Sequence, residues 1–438
     1  MNLAVSGEPE SDSFEAIILG AGISGLVSAS MLVRQGYKRI LVVDEYDHIG
    51  GNHIDHAAGG YTFDVGSLIF QDDSPLLDHF PELLPLYVPI KPKWARLTPQ
   101  GKVSAYPISV RDDILGAGLF GLGRIIFSLV YARVFQRRMR NAKEFARFWI
   151  GSYLLDRSGL QSYMKRFYGI GADEIDIEFA RKRMLWISEH ASLGNVARRI
   201  FKARKDAPPR NRQMARPRAG FANLYDEAAK RLNRHGVSIK LSAEMLSLRK
   251  VNDRFHLHLK DKTIVADRLI STIPIPRAEL LCGINSIHPL ETITLISLYF
   301  SFSGSRGFAE AIIYNFSHDG AWKRLTVYSD FYGQVDGREY FTAEVIADPG
   351  NRSPEQAESN FRTHIARNGL FDGDLRLEAS HILENAYPIY KRGAARHAAD
   401  AAQTLRAFGV ESHGRQGGFN YQPTARTSTI EAEAALCS

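Results

Sequence analysis

The stretch that most constrains this chain is Phe14 to Gly25, FEAIILGAGISG. Phe14 to Leu19 has the length and apolar composition of a buried parallel strand. Gly20, Gly22 and Gly25 follow at G-x-G-x-x-G spacing, and Leu26 to Arg34 reads as a helix. The first glycine allows a tight turn, the second lets backbone approach a pyrophosphate, and the third lets helix pack on strand. The helix N-terminus then offers its free N–H groups to the phosphates. A second apolar run, Ile40 to Val43, ends in Asp44, 19 residues after Gly25. An acid there can accept hydrogen bonds from an adenosine ribose. The fold class expected is α/β with a Rossmann-like dinucleotide-binding domain.

A second glycine pair, Gly50 and Gly51 in EYDHIGGN, closes a loop beyond the ribose acid. It suits another close backbone approach, toward the rest of a long dinucleotide, and an extended FAD needs that more than NAD does. Gly59-Gly60 gives a hairpin-like turn. YTFDVGSLIF, Tyr61 to Phe70, then alternates like a strand as far as Gly66, where the missing side chain leaves room for a flat ring.

With 438 residues, two or three domains and large cores are expected. The two cysteines, Cys282 and Cys437, exclude a disulfide framework and a Cys-based zinc site, and fit a reducing, cytoplasmic setting. No metal site is expected. Met1 to Ser13 lacks an apolar core and reads as a disordered lead, not a signal or transit peptide. From Arg124 to Arg218 there are 22 Lys and Arg against 8 Asp and Glu, in a chain whose net charge is +7. Such a block suggests an anionic partner. A nucleic acid is not favoured, because no aromatic-studded strand platform or known module accompanies the charge. Ile114 to Phe135 is apolar, but Arg124 and Arg133 interrupt it. It therefore reads as non-spanning, either packed in a helical domain or, through residues 114–140, lying on a membrane surface.

GAGISG with DEYDHIGGN, followed by FDVGSLIF, resembles the FAD-dependent family that contains UDP-galactopyranose mutases and protoporphyrinogen-oxidase-like amine oxidoreductases. The similarity recurs along nearly all of the chain from Phe14. It implies a glutathione-reductase-like FAD domain in three pieces (14–90, 215–280 and 385–438), a basic helical insertion (91–214) and an antiparallel sheet substrate domain (281–384). Strands are expected at Ile293 to Phe302, Ala311 to Phe316, Arg324 to Ser329 and Tyr340 to Ala347. The resemblance implies FAD contacts from Gly20, Gly22, Ile23, Ser24, Gly25, Asp44, Glu45, Gly50, Gly51, Asn52, Gly66, Ser67 and Leu68, and from Gly414, Arg415 and Phe419 in GRQGGFNY. It places Arg324, Arg415, Tyr387 and Tyr421 at the chemistry. It gives Tyr168 to the nucleotide base and Arg181, Lys182 or Arg183 to a substrate diphosphate, for which a guanidinium is a good match.

The chain departs from the mutases at Leu68, where they carry a histidine, and at Phe316, where they carry a tyrosine. The resemblance thus allows three functions. One is flavin N5 chemistry on a nucleotide-linked sugar, with FAD in its reduced form. Another is hydride removal from an apolar or amine substrate by an oxidase or desaturase. The third is a non-catalytic flavoprotein subunit. A small, anionic substrate is expected, and a homo-oligomer is compatible with the family.

Overall fold

The computed structural model describes residues 12–65, 68–184, 211–285, 287 and 289–437. In chain order the first strand, β1 (Asp12–Leu19), leads into α1 (Ile23–Arg34) and β2 (Ile40–Val43). A hairpin of β3 (Ile54–Ala58) and β4 (Tyr61–Val65) follows, turned at Gly59 and Gly60 with φ of +59° and +82°. Then come β5 (Ile69–Gln71), short α2 (Leu76–His79), β6 (Val88–Ile90), β7 (Trp94–Leu97) and β8 (Val103–Ala105). A helical run contains α3 (Gly118–Phe135), α4 (Ala142–Ile150), α5 (Ser152–Arg157), α6 (Leu160–Tyr168) and α7 (Ile177–Arg183). The remaining strands are β9 (Gln213–Ala215), β10 (Val237–Lys240), β11 (Met245–Val251), β12 (Arg254–Leu259), β13 (Thr263–Ser271), β14 (Thr292–Arg306), β15 (Ile312–Asn315), β16 (Trp322–Val327), β17 (Glu339–Ile346), β18 (Phe371–Pro388) and β19 (Glu411–Ser412).

Two seven-stranded sheets organise the molecule. The first runs β10-β2-β1-β13-β12-β11, with β19 beside β13. Its β10, β2, β1, β13 and β19 are parallel, and β12 and β11 turn back antiparallel. Every residue of β2 is buried, as are Ala16 to Leu19 of β1, which is why these strands read as continuous apolar runs. Helix α1 covers one face through Leu26, Val27, Ala29 and Leu32.

The second sheet runs β18-β14-β17-β16-β15-β7-β8, antiparallel except where β15 meets β7. The two sheets revise the expected boundaries at two places. Residues 94–105, assigned from sequence to the helical insertion, add two strands to this sheet. Asp12 and Ser13, assigned to a disordered lead, begin β1 and pair with Ile264 and Val265. β18 escaped the sequence reading because most of it is exposed or half-buried and so lacks an apolar stripe. Its last residues, Asn385 and Tyr387, return the chain to the first sheet.

Residues 202–218 read as a linker. Those described include strand β9, which joins β5 and β6, and Arg216, which is fully buried. Arg216 pairs with Asp64 of β4 and lies over the rings of Tyr328 and Tyr332. It is therefore a core cation, not part of a solvated basic surface.

Candidate functional site

The C-terminal ends of β1 and β2 open on a cleft of about 480 Å³. Gly20 turns the chain at φ +104°, and Gly22 sits just before α1. A Cβ on Gly25 would fall 1.9 Å from the Gly20 carbonyl oxygen, so that glycine is needed for strand and helix to touch. Among the described residues a Cβ on Gly22 would meet only the Gly51 backbone, its Cα at 3.8 Å, and would otherwise enter the cleft. Asp44 lines the cleft from the end of β2. Its carboxylate accepts the Ala21 N–H at 2.6 Å and the Tyr46 N–H at 2.9 Å. Burial pushes its pKa up against those two N–H groups. Asp44 thus braces the glycine turn, and a carboxylate has lone pairs left for a ribose. Glu45 lines the same cleft, but Arg277 pairs with it.

Asn52 and Arg415 line both this cleft and a second cavity of about 240 Å³. Each is held in place: the Asn52 amide donates to the Ala386 carbonyl at 2.9 Å, and Arg415 donates to the Gln422 carbonyl at 2.6 Å. The second cavity is walled by Tyr163, Phe167, Tyr387 and Tyr421, with Lys323, Arg324 and Glu344 on the sheet side. Tyr106, Tyr314, Arg324 and Glu344 pass from it into a third cavity, of about 450 Å³, that also takes Leu68 and Trp94. The three spaces share walls in series from the dinucleotide cleft outward.

The charged cluster depends on a β-bulge. β16 pairs Trp322 with Val345 but Arg324 with Glu344, which leaves Lys323 as the extra residue. A bulge sets two residues of one strand opposite one of its partner. Lys323 and Arg324, adjacent in sequence, therefore both reach Glu344. The Arg324 guanidinium lies 2.7 Å from one carboxylate oxygen, and the Lys323 Nζ lies 3.4 Å from the other. Lys323 also donates to the Tyr387 hydroxyl and lies over the Phe167 and Tyr387 rings. Burial opposes the Glu344 charge, but Arg324 and then Lys323 outweigh it and hold its carboxyl below the usual range. Burial likewise opposes the cations, and Glu344 raises both above their ordinary values. Burial keeps Tyr163, Tyr314 and Tyr387 protonated. None of these six groups exchanges a proton near neutrality, and the cluster carries one net positive charge.

The structure gathers Gly20, Gly22, Ile23, Ser24, Asp44, Glu45, Gly50, Gly51, Asn52 and Arg415 at the cleft, and Arg324, Tyr387 and Tyr421 at the second cavity. Leu68 falls in the third cavity, while Gly66 and Ser67 lie outside the described residues. Gly25 and Gly414 act from behind the cleft wall; a Cβ on Gly414 would strike Ser24 at 2.8 Å. Phe419, expected at the cofactor, is a buried core residue set edge-on to Tyr390.

The substrate-binding assignments need correction. Arg181 and Lys182 point to solvent, and Arg181 pairs with Glu178 one turn earlier on α7. Arg183 ends that helix, and its side chain lies outside the described residues. Tyr168 packs edge-on between Phe167 and Phe179, and it is Phe167 that lines the cavity. Lys323, Glu344, Tyr106, Tyr163 and Tyr314 were missed. Phe316, which stands where mutases have tyrosine, stacks on Tyr163 at 4.2 Å beneath the wall, and Tyr314 presents a phenol nearby.

Residues 18–82 match the family described as NAD(P)-binding Rossmann-like domain. The chain is 42% identical over 60 residues to prolycopene isomerase 2 of Oncidium hybrid cultivar, which is 14% of this chain and 10% of that protein. It is 52% identical over 44 residues to UDP-galactopyranose mutase of Mycoplasma genitalium, 10% of this chain and 11% of the relative. These matches span about a tenth of the relatives' length. The whole fold reaches further. Reduced UDP-galactopyranose mutase superposes with a TM-score of 0.79 at 16% identity, over 96% of this chain and 93% of that one. A putative protoporphyrinogen oxidase from Exiguobacterium sp. 255-15 gives 0.75 at 16% identity, over 97% and 98%. The fold is the one shared by these two solved structures, and the cofactor supported with it is FAD. The cleft fits that cofactor: a glycine-lined approach to α1, an acid at the end of β2, and a passage beside Arg415 into an aromatic cavity. FAD is the cofactor that fold and cleft together support.

Proposed function

We propose that the protein is an FAD-dependent enzyme that acts on a substrate bearing an anionic group, with a nucleotide-linked sugar as the first candidate. The reading rests on one observation, the Lys323–Glu344–Arg324 cluster with its single excess positive charge in the cavity adjoining the cleft. A buried site of that charge favours an anion and repels a cation. Likeness of the whole fold to a mutase supports the sugar class.

Gly20, Gly22, Asp44, Gly51 and Arg415 would hold FAD, which supplies the reactive N5 and its electrons. The chain's own part is to orient and to exclude water. Tyr163, Phe167 and Tyr387 offer flat faces, Arg324 offers a guanidinium, and the protonated phenols offer hydrogen bonds without competing for protons.

The test is anaerobic titration of the reduced protein with UDP and UDP-sugars, followed by flavin absorbance. Wild type should bind, and Arg324→Met should raise the dissociation constant about ten- to a hundredfold, or about 1.4–2.8 kcal/mol. Failure of wild type to bind any nucleotide diphosphate overturns the sugar assignment. A redox reading is favoured by Leu68 and Trp94, which give the outer cavity an apolar side. Steady hydrogen peroxide release with an amine or a polyene-like compound would establish it instead.

A further inference from the structure

Helix α3 is largely apolar and buried on one side only. Gly121, Ile125 and Ala132 face inward. Successive residues of a helix turn by about 100°, which brings Leu119, Phe120, Ile126, Phe127, Val130 and Val134 onto the opposite face. All six are exposed, Leu119 at 91% and Phe120 at 82%. Apolar residues scattered singly on a surface need no explanation, but a contiguous face of this kind marks an interaction site.

The flanks of this face are basic. Arg124 and Arg133 leave the helix on its two sides, Arg124 over the Tyr153 ring at 4.5 Å and Arg133 over the rings of Phe148 and Trp149 at 4.5 and 4.4 Å. Arg137 and Arg138 follow the last turn and are exposed. From Ile114 to Lys143 there are six Lys and Arg and no Asp or Glu.

We propose that α3 docks the protein on an anionic lipid bilayer, lying in the interface with its outer face among the acyl chains and its arginines at the headgroups. An interfacial helix needs an apolar face flanked by cations, and long cationic side chains can keep their charge at the headgroup level. A second copy of the chain suits the face poorly. An isologous pair of α3 helices would bring two sets of arginines together with no acid on either helix. By length and composition the run Val110–Phe135 would suffice to cross a membrane. However, α3 packs along α4 and α5 through its inner residues and through both stacked arginines, so it lies flat on the domain. This inference does not depend on the substrate.

The test is co-sedimentation of the FAD-loaded full chain with phosphatidylcholine vesicles, with and without phosphatidylglycerol, alongside light scattering in solution. Wild type should sediment with the anionic vesicles and be released by high salt. A Phe127→Glu, Val130→Glu variant, whose changes lie on the exposed face, should keep the flavin spectrum and unfolding temperature and lose partitioning at least about tenfold. The proposal is overturned if wild type stays in the supernatant with anionic vesicles. It is also overturned if the variant sediments equally well, or if wild type is a dimer that the variant dissolves and that ignores lipid.

Discussion

Gly22 and Gly25 lie three residues apart and answer to different neighbours. At Gly22 the protein itself leaves room for a side chain, and the space that would be lost belongs to the cleft. Gly22→Val is expected to fold with an unfolding temperature near that of the wild-type apoprotein and to purify colourless. Gly25→Ala presses its methyl on the Gly20 carbonyl and should cost at least about 1–3 kcal/mol of stability. Thermal unfolding of the two apoproteins, with FAD titration of each, separates the roles. A second single-residue effect belongs to His364. The Trp322 indole can only donate, and it lies 2.9 Å from His364 Nδ1, so that nitrogen is the acceptor and the proton sits on Nε2, facing the Ser317 oxygen at 3.1 Å. Burial, then Arg166, bring the imidazole pKa down from 6.5 to about 4. The unfolded chain therefore takes up this proton first. Stability that is complete above pH 6.5 is lost as pH falls toward about 4, with a slope up to about 1.4 kcal/mol per pH unit from this residue. Denaturant melts of wild type and His364→Leu between these pH values should show the variant with the shallower slope.

The β16 bulge sets the charge balance of the cavity. Glu344→Gln would leave buried Lys323 and half-buried Arg324 beside each other without their shared carboxylate. Breaking a buried pair in this way costs about 3–5 kcal/mol. Adding Lys323→Met to Glu344→Gln should recover part of that loss, because one of the stranded charges is gone. Equal melting of the single and double variants would show that the cluster is not a unit. This element was illegible in the sequence for a definite reason. In a regular strand, Lys323 and Arg324 point to opposite faces, and only the pairing with β17 reveals the extra residue. The cofactor side was legible because turn, helix start and ribose acid are local and carry fixed spacings. Spacing along a chain does not say which way a helix turns, and α7 shows Arg181 and Lys182 to solvent. Tyr168 lies one residue from Phe167, which lines the cavity, and a step of about 100° turns its side chain from that wall toward Phe179. Much of the second sheet was read correctly from its β-branched and aromatic runs, and β18 was lost for want of an apolar stripe.

At the scale of the molecule, the first sheet is assembled from distant pieces. β1 lies in register with β13, Asp12 beside Ile264 and Leu19 beside Ser271, and β2 waits for β10 on its other side. This arrangement has a consequence during synthesis. At roughly 5–20 residues per second, β1 leaves the ribosome about 10–50 s before its central partner exists. Throughout that interval the β1–β2 pair has two open edges, a template for pairing with other nascent chains. Long-range parallel pairing of this kind also slows folding. A chain cut after Lys260, which retains α1 and the whole glycine turn but lacks β13, should accordingly accumulate in the insoluble fraction. The full-length chain should gain soluble yield when translation is slowed by cooling or when chaperones that shield strand edges are co-expressed.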